Sequence, residues 1–186
     1  MNKVIIISAP SGSGKNTVTS ELMKEIPNLS YSVSATTREK RINEIDGKDY
    51  YFISKTEFLE KIKNKEFVEY EKVYTDTYYG TLKTEIIKLF KEGKNIIFVT
   101  DVAGGINLKN YFGEDSISIF LNVSSKNLEE RLKIRNADSE ESIKERIEKA
   151  EHEFSFKDKF DFIIDNNDLS LSVSLCKMTI NIFLEK

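Results

Sequence analysis

The amino-terminal stretch of the chain passes from four consecutive β-branched residues, Val4 to Ile7, directly into a glycine-rich segment that ends at Gly14. A continuous β-branched run is typical of a strand that is buried on both faces of a parallel sheet. From Lys15 onward, apolar residues recur at helical spacing until Pro27 stops the pattern. The sequence therefore predicts a buried strand, a glycine-rich turn and a helix, in that order.

Buried-strand signatures recur further along the chain, at residues 95–100, 116–121 and 160–164. Helical patterns lie between and after them, at residues 81–92, 126–134, 139–156 and 169–184. Strands that alternate with helices predict an α/β fold in which right-handed crossovers join parallel strands. In such folds, ligands bind at the carboxyl ends of the strands.

Residues 31–80 interrupt this alternation. Tyrosines, threonines and short alternating stretches replace the long strand–helix units, and one helical pattern covers residues 55–63. Apolar and aromatic residues at 50–53 and 67–70 predict strands of a small mixed or antiparallel sheet. We interpret this region as a lobe inserted into the α/β fold.

Charge and cysteine content exclude several classes of protein. The net charge of -3 over 186 residues gives no global basic field, so binding to nucleic acid or to an anionic membrane is not expected. The single cysteine, Cys176, excludes an internal disulfide and a cysteine-based zinc site, and we interpret it as a small buried residue. No apolar run reaches the roughly 18–20 residues of a membrane span. We therefore expect a cytoplasmic protein without membrane contacts.

The glycine-rich turn has the parts that a polyphosphate needs. Glycines let backbone N–H groups approach phosphate oxygens, the helix amino terminus adds its dipole, and a lysine supplies a mobile positive charge. The alternative is an ordinary strand-to-helix turn with a solvent-facing lysine. The candidate ATP-binding residues in and after the turn are Ser11, Gly12, Ser13, Gly14, Lys15, Asn16 and Thr17.

Two positions depart from the pattern G-x-x-x-x-G-K-[ST] that is typical of P-loops. Ala9 stands at the first glycine, and Asn16 stands where a serine or threonine usually reaches Mg²⁺. The amide oxygen of Asn16 is a weak candidate metal ligand, but Thr17 follows directly and magnesium often keeps most of its water ligands.

Four motifs in the inserted lobe carry a resemblance to a known family. They are similar, in order and spacing, to the GMP-binding motifs of the guanylate kinase family, and they lie at residues 32–41, 46–52, 66–69 and 78–81. The resemblance continues at residues 101–105 and 166–169 and so covers nearly the whole chain. It implies a P-loop NTPase-type parallel sheet flanked by helices, with an inserted GMP-binding lobe and a small helical lid.

The resemblance assigns one group of lobe residues to the phosphate of GMP. Planar guanidinium groups suit bidentate contacts to phosphate oxygens, and tyrosine hydroxyls add further donors. On this basis the acceptor phosphate would be bound by Arg38, Arg41, Tyr50 and Tyr79.

A second group would recognise the base. Glu69 would accept hydrogen bonds from guanine N1–H and the exocyclic amine, and Asp101 would help at the amine. Ser34 and Thr81 would serve guanine O6 and N7. Adenine lacks the donor pair that Glu69 needs, and a buried carboxylate without a partner is costly, so AMP would be rejected.

Arginines further along the chain suit phosphoryl transfer. Arg131 and Arg135 are four residues apart on a predicted helix, so they share one face, and Arg146 follows after an acidic stretch. Positioned cations stabilise the charge that spreads over the transferred phosphoryl group. The resemblance identifies these three as lid arginines and implies that they act in catalysis together with Lys15 and Arg38.

Three further positions bear on this resemblance. Asn166 resembles the family residue that touches the adenine base. Val99 stands where the family commonly has Asp or Glu, and residues 136–137 read Asn-Ala where it commonly has Gly-Thr. These departures concern the metal region and the lid.

The resemblance implies an ATP:GMP phosphotransferase that uses Mg²⁺ with ATP and that also accepts dGMP. It implies core segments 1–33, 81–133 and 157–186, a GMP-binding lobe at 34–80 and a lid at 134–156. Two alternatives stay open, a catalytically impaired scaffold domain and a related kinase with another acceptor. The sequence is compatible with a homo-oligomer and does not require one.

Overall fold

The computed structural model describes residues 2–74, 77–134 and 140–185. The strands are β1 (Val4–Ser8), β2 (Leu29–Tyr31), β3 (Ala35–Thr36), β4 (Tyr51–Phe52), β5 (Phe67–Tyr74), β6 (Thr77–Leu82), β7 (Asn95–Thr100), β8 (Ser116–Asn122) and β9 (Phe162–Asp165). The helices are α1 (Lys15–Glu25), α2 (Lys55–Lys63), α3 (Lys83–Lys91), α4 (Val102–Phe112), α5 (Ser125–Ile134), α6 (Glu140–Phe154) and α7 (Leu169–Leu184).

The chain forms two compact units. The core unit comprises Lys3–Leu29 and Ile97–Lys186, and the lobe unit comprises Ser30–Ile96 together with Asn2. Strands β2 and β7 lie where the chain passes from one unit to the other. The limits expected above for the GMP-binding lobe and for the lid stay predictions.

The larger sheet has the strand order β2-β7-β1-β8-β9. Strand β1 pairs in parallel with β8, and β8 pairs in parallel with β9. All five residues of β1 are buried, which explains why its sequence is a continuous apolar run and not an alternating one. The predicted α/β fold with a parallel sheet and flanking helices is confirmed.

The main hydrophobic core of the core unit joins this sheet to α1 and α7. Ile5 and Ile7 of β1 pack in one buried cluster with Val18 and Leu22 of α1 and with Cys176 of α7. Cys176 is fully buried, and burial raises the pKa of its thiol to about 12. The interpretation of this cysteine as a small buried residue is confirmed.

Helix α4 is absent from the elements predicted above. Gly104 and Gly105 lie near its start, and each glycine lowers helix propensity by about 1 kcal/mol relative to alanine. Packing and capping compensate. The Asp101 carboxylate accepts a hydrogen bond from the Gly104 N–H at 2.8 Å, and a Cβ at Gly105 would lie 2.9 Å from the Phe160 ring. The close approach of the Phe160 ring therefore favours glycine at position 105, although glycine has a low helix propensity.

The lobe unit contains a four-stranded sheet of order β4-β3-β6-β5. Strand β3 is parallel to β4 and antiparallel to β6, and β5 is antiparallel to β6. The sheet packs on α2 through Phe58, whose ring stacks on Phe67 at a centroid distance of 4.4 Å. The predicted small mixed sheet is confirmed.

Most limits of the predicted elements agree with the structure. Helices α2 and α7 have the expected bounds, whereas α3 begins at Lys83 because β6 continues to Leu82. Strand β9 begins at Phe162, after a short 3-10 turn at Lys157–Lys159. Among the helices of the described residues, none has both the length and the apolar character that a membrane crossing needs.

Candidate active site

The turn between β1 and α1 is built on two glycines with left-handed backbone. Gly12 has φ +88° and Gly14 has φ +95°, conformations that residues with a Cβ rarely adopt. Ser13 closes the turn, since its N–H and its hydroxyl both donate to the Pro10 carbonyl, at 3.3 and 2.6 Å. Gly14 is the N-cap of α1 and has no capping side chain, so the turn leads straight to the N–H groups of the first helical turn.

Lys15 lies over this turn. Its ammonium group donates to the carbonyl oxygens of Ala9 and Pro10, at 2.5 and 3.1 Å. Its positive charge is therefore held beside the same backbone as the N–H groups of the helix start. This combination suits a polyphosphate.

The carbonyl oxygen of Ser13 accepts two strong hydrogen bonds. Arg131 donates to it from Nη1 and Asn166 donates to it from Nδ2, both at 2.7 Å. The other terminal nitrogen of Arg131 donates to the Asn166 carbonyl at 2.8 Å. Arg131 and Asn166 therefore both contact the predicted phosphate loop, and they also contact each other.

Arg146 also contacts the loop, since its Nη2 donates to the Ser11 hydroxyl at 2.8 Å. The structure thus brings two of the three predicted lid arginines to the glycine-rich turn. Arg135, and the unusual pair at residues 136–137, lie outside the described residues.

Asn166 is only 2% exposed. Its Oδ1 accepts a hydrogen bond from the Ser172 hydroxyl at 2.7 Å, while its Nδ2 contacts Ser13. Both ends of the side-chain amide are thus engaged within the protein. Its expected contact with adenine stays a prediction.

Asp101, expected at the guanine amine, belongs to the core unit. One of its carboxylate oxygens caps α4, and its backbone carbonyl accepts a hydrogen bond from the Ser8 hydroxyl at 2.7 Å.

Glu153 of α6 is close enough to Asp101 and Lys15 for their charges to act on its carboxyl group. Burial raises the pKa of Glu153, and the negative charge of Asp101 raises it further, while the positive charge of Lys149 and, less strongly, that of Lys15 lower it. No sequence signal singles out Glu153 in its highly charged helix.

The donor set near the turn decides how a metal ion would be held. The described residues contain no group of three His, Cys, Asp or Glu side chains arranged to bind a metal. Asn16 and Thr17 are exposed on the first turn of α1 and offer an amide and a hydroxyl oxygen. Mg²⁺ accepts oxygen ligands and is usually bound through one or two protein groups, substrate phosphates and water. These residues therefore fit a magnesium ion that a triphosphate brings with it.

In the lobe unit, the side chain of Arg38 is held by a carboxylate. Its two terminal nitrogens donate to the two oxygens of Glu44, at 2.9 and 2.7 Å, which is a bidentate pair. Glu44 also accepts the backbone N–H of Arg41 at 2.8 Å. The hydrogen bonds from Arg38 and from Arg41 lower the pKa of Glu44 to about 2. Sequence reasoning missed Glu44, which follows both candidate arginines and belongs to no pattern in the sequence.

Two aromatic rings lie near the same guanidinium. The Arg38 guanidinium carbon lies 5.3 Å from the ring centre of Tyr50 and 5.6 Å from that of Phe52. The rings of Tyr50 and Tyr79 meet edge to face at 5.9 Å. Hydrogen bonds to Glu44 and to Tyr79 raise the pKa of Arg38. Arg38, Tyr50 and Tyr79, expected at one phosphate, are therefore brought together, while Arg41 joins them through its backbone and has an exposed side chain.

The predicted base-binding residues lie on neighbouring strands of the lobe sheet. Thr81 pairs with Glu69 across β6 and β5, and its hydroxyl donates to the Glu69 carboxylate at 2.8 Å. Thr81 is 1% exposed, and Glu69 is partly buried. Ser34 precedes β3, and its carbonyl accepts the Tyr51 N–H at 2.9 Å.

The fold and the loop together define a P-loop α/β protein, in which a parallel strand, a glycine-rich turn and a lysine at a helix start are combined. The model of the family described as guanylate kinase matches residues 1–181. The chain belongs to the guanylate kinase family.

Individual relatives agree with this result. A guanylate kinase of Bacteroides fragilis is 47% identical over 183 residues, which are 98% of this chain and 90% of that protein. A guanylate kinase of Porphyromonas gingivalis is 46% identical over 188 residues, 100% of each chain. The crystal structure of guanylate kinase from Anaplasma phagocytophilum has a TM-score of 0.73 at 27% identity and covers 97% of this chain and 85% of that one.

We expect Gly12→Ala to destabilise the protein by more than backbone strain alone. Left-handed backbone costs a residue with a Cβ roughly 1–2 kcal/mol. A Cβ at Gly12 would also lie 2.7 Å from Leu132 Cδ2 in a packed cluster, and such overpacking costs about 1–3 kcal/mol more. The control is Gly93→Ala, since Gly93 has φ +72° and no atom within 4 Å of its Cβ position. Urea unfolding measures both variants, and equal losses would contradict the expected clash.

We expect the stabilising effect of Glu44 to depend on pH. Its carboxyl pKa falls from an ordinary 4.5 to about 2 in the folded lobe. A depressed pKa stabilises the fold above the unfolded value, and this stabilisation is lost as the pH falls through the folded value. The difference in unfolding free energy between wild type and Glu44→Gln should therefore be full at pH 7 and shrink from about pH 4.5 toward pH 2.

The matched control for that series is Glu60→Gln, which places the same amide at an exposed position on α2. Urea unfolding of the three proteins at each pH provides the comparison. A difference between wild type and Glu44→Gln that stays constant down to pH 3 would show that the Arg38 contact does not hold the Glu44 carboxylate ionised.

Proposed function

We propose that this chain transfers the γ-phosphoryl group of ATP to GMP, and to dGMP, with ADP and GDP or dGDP as products. The observation that carries the proposal is that one lobe unit, in a member of the guanylate kinase family, holds both the Glu69–Thr81 pair and Arg38 with its neighbouring tyrosines. Curated relatives at 46–47% identity are named guanylate kinase. The family and these relatives favour the kinase over a scaffold domain.

The acceptor phosphate would bind at Arg38, Tyr50 and Tyr79. The bidentate contact with Glu44 holds the Arg38 guanidinium near the rings of Tyr50 and Phe52, so the group needs little reorganisation on binding. Arg41 adds a second cation from a neighbouring position with an exposed, adaptable side chain. Guanidinium groups match phosphate oxygens in shape and charge.

Guanine would be read by Glu69. The Thr81 hydroxyl donates to one carboxylate oxygen and so orients the group, which can accept the N1–H and the exocyclic amine of guanine. Ser34 lies next to β3 in the same sheet and offers a hydroxyl for the base. AMP presents an acceptor where GMP presents a donor, which leaves a charged carboxylate without a partner.

ATP would bind with its triphosphate on the turn from Ser11 to Lys15. The N–H groups at the start of α1 and the Lys15 ammonium would bind the triphosphate together, and Arg131 and Arg146 contact the same turn. A magnesium ion that ATP brings would find oxygen ligands at Asn16 and Thr17, and it would supply charge neutralisation on the β- and γ-phosphates.

The chemical step needs little covalent participation by the protein. An oxygen of the GMP phosphate forms a bond to the γ-phosphorus while the bond to the ADP oxygen breaks, and charge spreads over the equatorial oxygens. Lys15, Arg38, Arg131, Arg135 and Arg146 are the proposed catalytic cations. Their role is to align the reactants and to stabilise that charge, which is the main source of rate in phosphoryl transfer.

A coupled assay with saturating Mg-ATP tests the proposal. GMP, dGMP, AMP, CMP and UMP are offered as acceptors, and ADP release is measured. We expect turnover with GMP and dGMP, and a preference for GMP over AMP on the order of 10⁴-fold, because AMP lacks the donors that the base site requires. No turnover with GMP would refute the proposed function.

We expect Glu69→Gln to lower kcat/KM for GMP by roughly 10- to 100-fold, the value of a charge-assisted hydrogen bond. The glutamine keeps one acceptor and places an amide donor against a donor edge of guanine. Glu60→Gln, an exposed position on α2 of the same lobe unit, is the control and should retain wild-type kinetics. Unaffected GMP turnover in Glu69→Gln would move guanine recognition away from this residue.

A further inference from the structure

A buried chain of hydrogen bonds connects helix α7 to the glycine-rich turn. The Ser172 hydroxyl donates to Asn166 Oδ1, and Asn166 Nδ2 donates to the Ser13 carbonyl, both at 2.7 Å. Ser13 and Ser172 are fully buried, and Asn166 is 2% exposed. Ser172 carries no role in the function proposed above.

The groups at the two ends of this series of hydrogen bonds determine which atom donates at each step. The Ser13 carbonyl can only accept, so the Asn166 amide must present its nitrogen to it, and Oδ1 then faces Ser172. The Ser172 hydroxyl has a single proton, and its other acceptor, the Leu169 carbonyl, is more distant at 3.0 Å. Without that hydroxyl, a buried amide oxygen would lose its donor, which is costly.

The position of Ser172, which donates to Asn166, is fixed by helix α7. It lies in the first turn of α7, where the Asp168 side chain caps the helix by accepting the Leu171 N–H at 2.8 Å. The next turns of α7 bury Val173 and Cys176 in the main core. The position of Asn166 is thereby tied to the hydrophobic core and not to an exposed loop.

The position of the Ser13 carbonyl oxygen determines the direction of the Gly14 N–H. In a trans peptide, the C=O of Ser13 and the N–H of Gly14 point in opposite directions. Donors from Asn166 and Arg131 hold the carbonyl on one side, so the Gly14 N–H is held on the other. Gly14 is the N-cap of α1, where backbone N–H groups bind phosphate oxygens.

We propose that Asn166 and Ser172 are positioning residues of the phosphate loop, which set the affinity for the triphosphate of any nucleotide donor and do not select adenine. The proposal rests on the proposed function for the identity of the donor. It differs from the family resemblance, which would give Asn166 a contact with the base.

The test measures binding of inorganic tripolyphosphate with Mg²⁺ by calorimetry, because this ligand has no base. We expect Ser172→Ala to weaken its affinity by roughly 3- to 10-fold, the effect of one lost hydrogen bond, and Asn166→Ala to weaken it further. The matched control is Ser174→Ala on the same helix, whose hydroxyl is exposed and contacts only the Ser170 carbonyl at 2.9 Å among its described partners. It should bind as wild type does.

Kinetics with ATP and GTP as donors add a second readout. The positioning role lowers kcat/KM for both donors by the same factor in Asn166→Ala and in Ser172→Ala, and calorimetric affinity for GMP stays at the wild-type value. A loss confined to ATP, or unchanged tripolyphosphate binding in Asn166→Ala and Ser172→Ala, would overturn the proposal.

Two further measurements keep the outcome decisive. Thermal unfolding and GMP affinity show whether each variant is folded, and Ser172→Cys, which keeps the size and a weak donor, replaces Ser172→Ala if the alanine variant does not fold. It should fall between wild type and Asn166→Ala. Absence of GMP turnover in the wild type would refute the proposed function alone, since tripolyphosphate binding tests the loop without any acceptor.

Discussion

The core unit depends on one constraint, the abrupt passage from a fully buried strand to a helix within six residues, Ala9 to Gly14. Two residues with left-handed backbone, Gly12 and Gly14, make this turn possible, and the Ser13 carbonyl between them belongs to a fully buried residue. A buried carbonyl needs donors. Arg131 and Asn166 supply them, so the phosphate loop is held by side chains that come from distant parts of the chain.

The lobe unit uses a different means to order its cations. Arg38 is flexible by nature, and a side chain of this length loses about 2 kcal/mol of rotamer entropy when it is fixed. Glu44 and the rings of Tyr50 and Phe52 fix it before any ligand arrives. The two units therefore share a principle, since in each a cationic side chain is held by hydrogen bonds that the protein itself supplies.

Sequence reasoning succeeded where local pattern and structure coincide. Strand β1, helix α1 and the bounds of α2 and α7 follow from apolar periodicity and from stop signals such as Pro27. It failed for α4, because packing of Gly105 against Phe160 favours glycines where propensity opposes a helix. Arg38, Tyr50 and Tyr79 do come together as expected. That expectation came from the family resemblance, because periodicity alone does not predict it. Glu44 and Ser172 were missed because a hydrogen-bond partner leaves no mark in the spacing of a sequence.

The bidentate pair of Arg38 and Glu44 also shapes the electric field of the lobe. A guanidinium matched by a carboxylate at 2.7 Å is nearly neutral when seen from beyond about a Debye length, roughly 8 Å at physiological salt. Arg38 therefore adds little long-range attraction for small anions in the surrounding solution. Its charge becomes effective only at contact distance, where hydrogen-bond geometry, and not charge alone, decides which phosphate is bound.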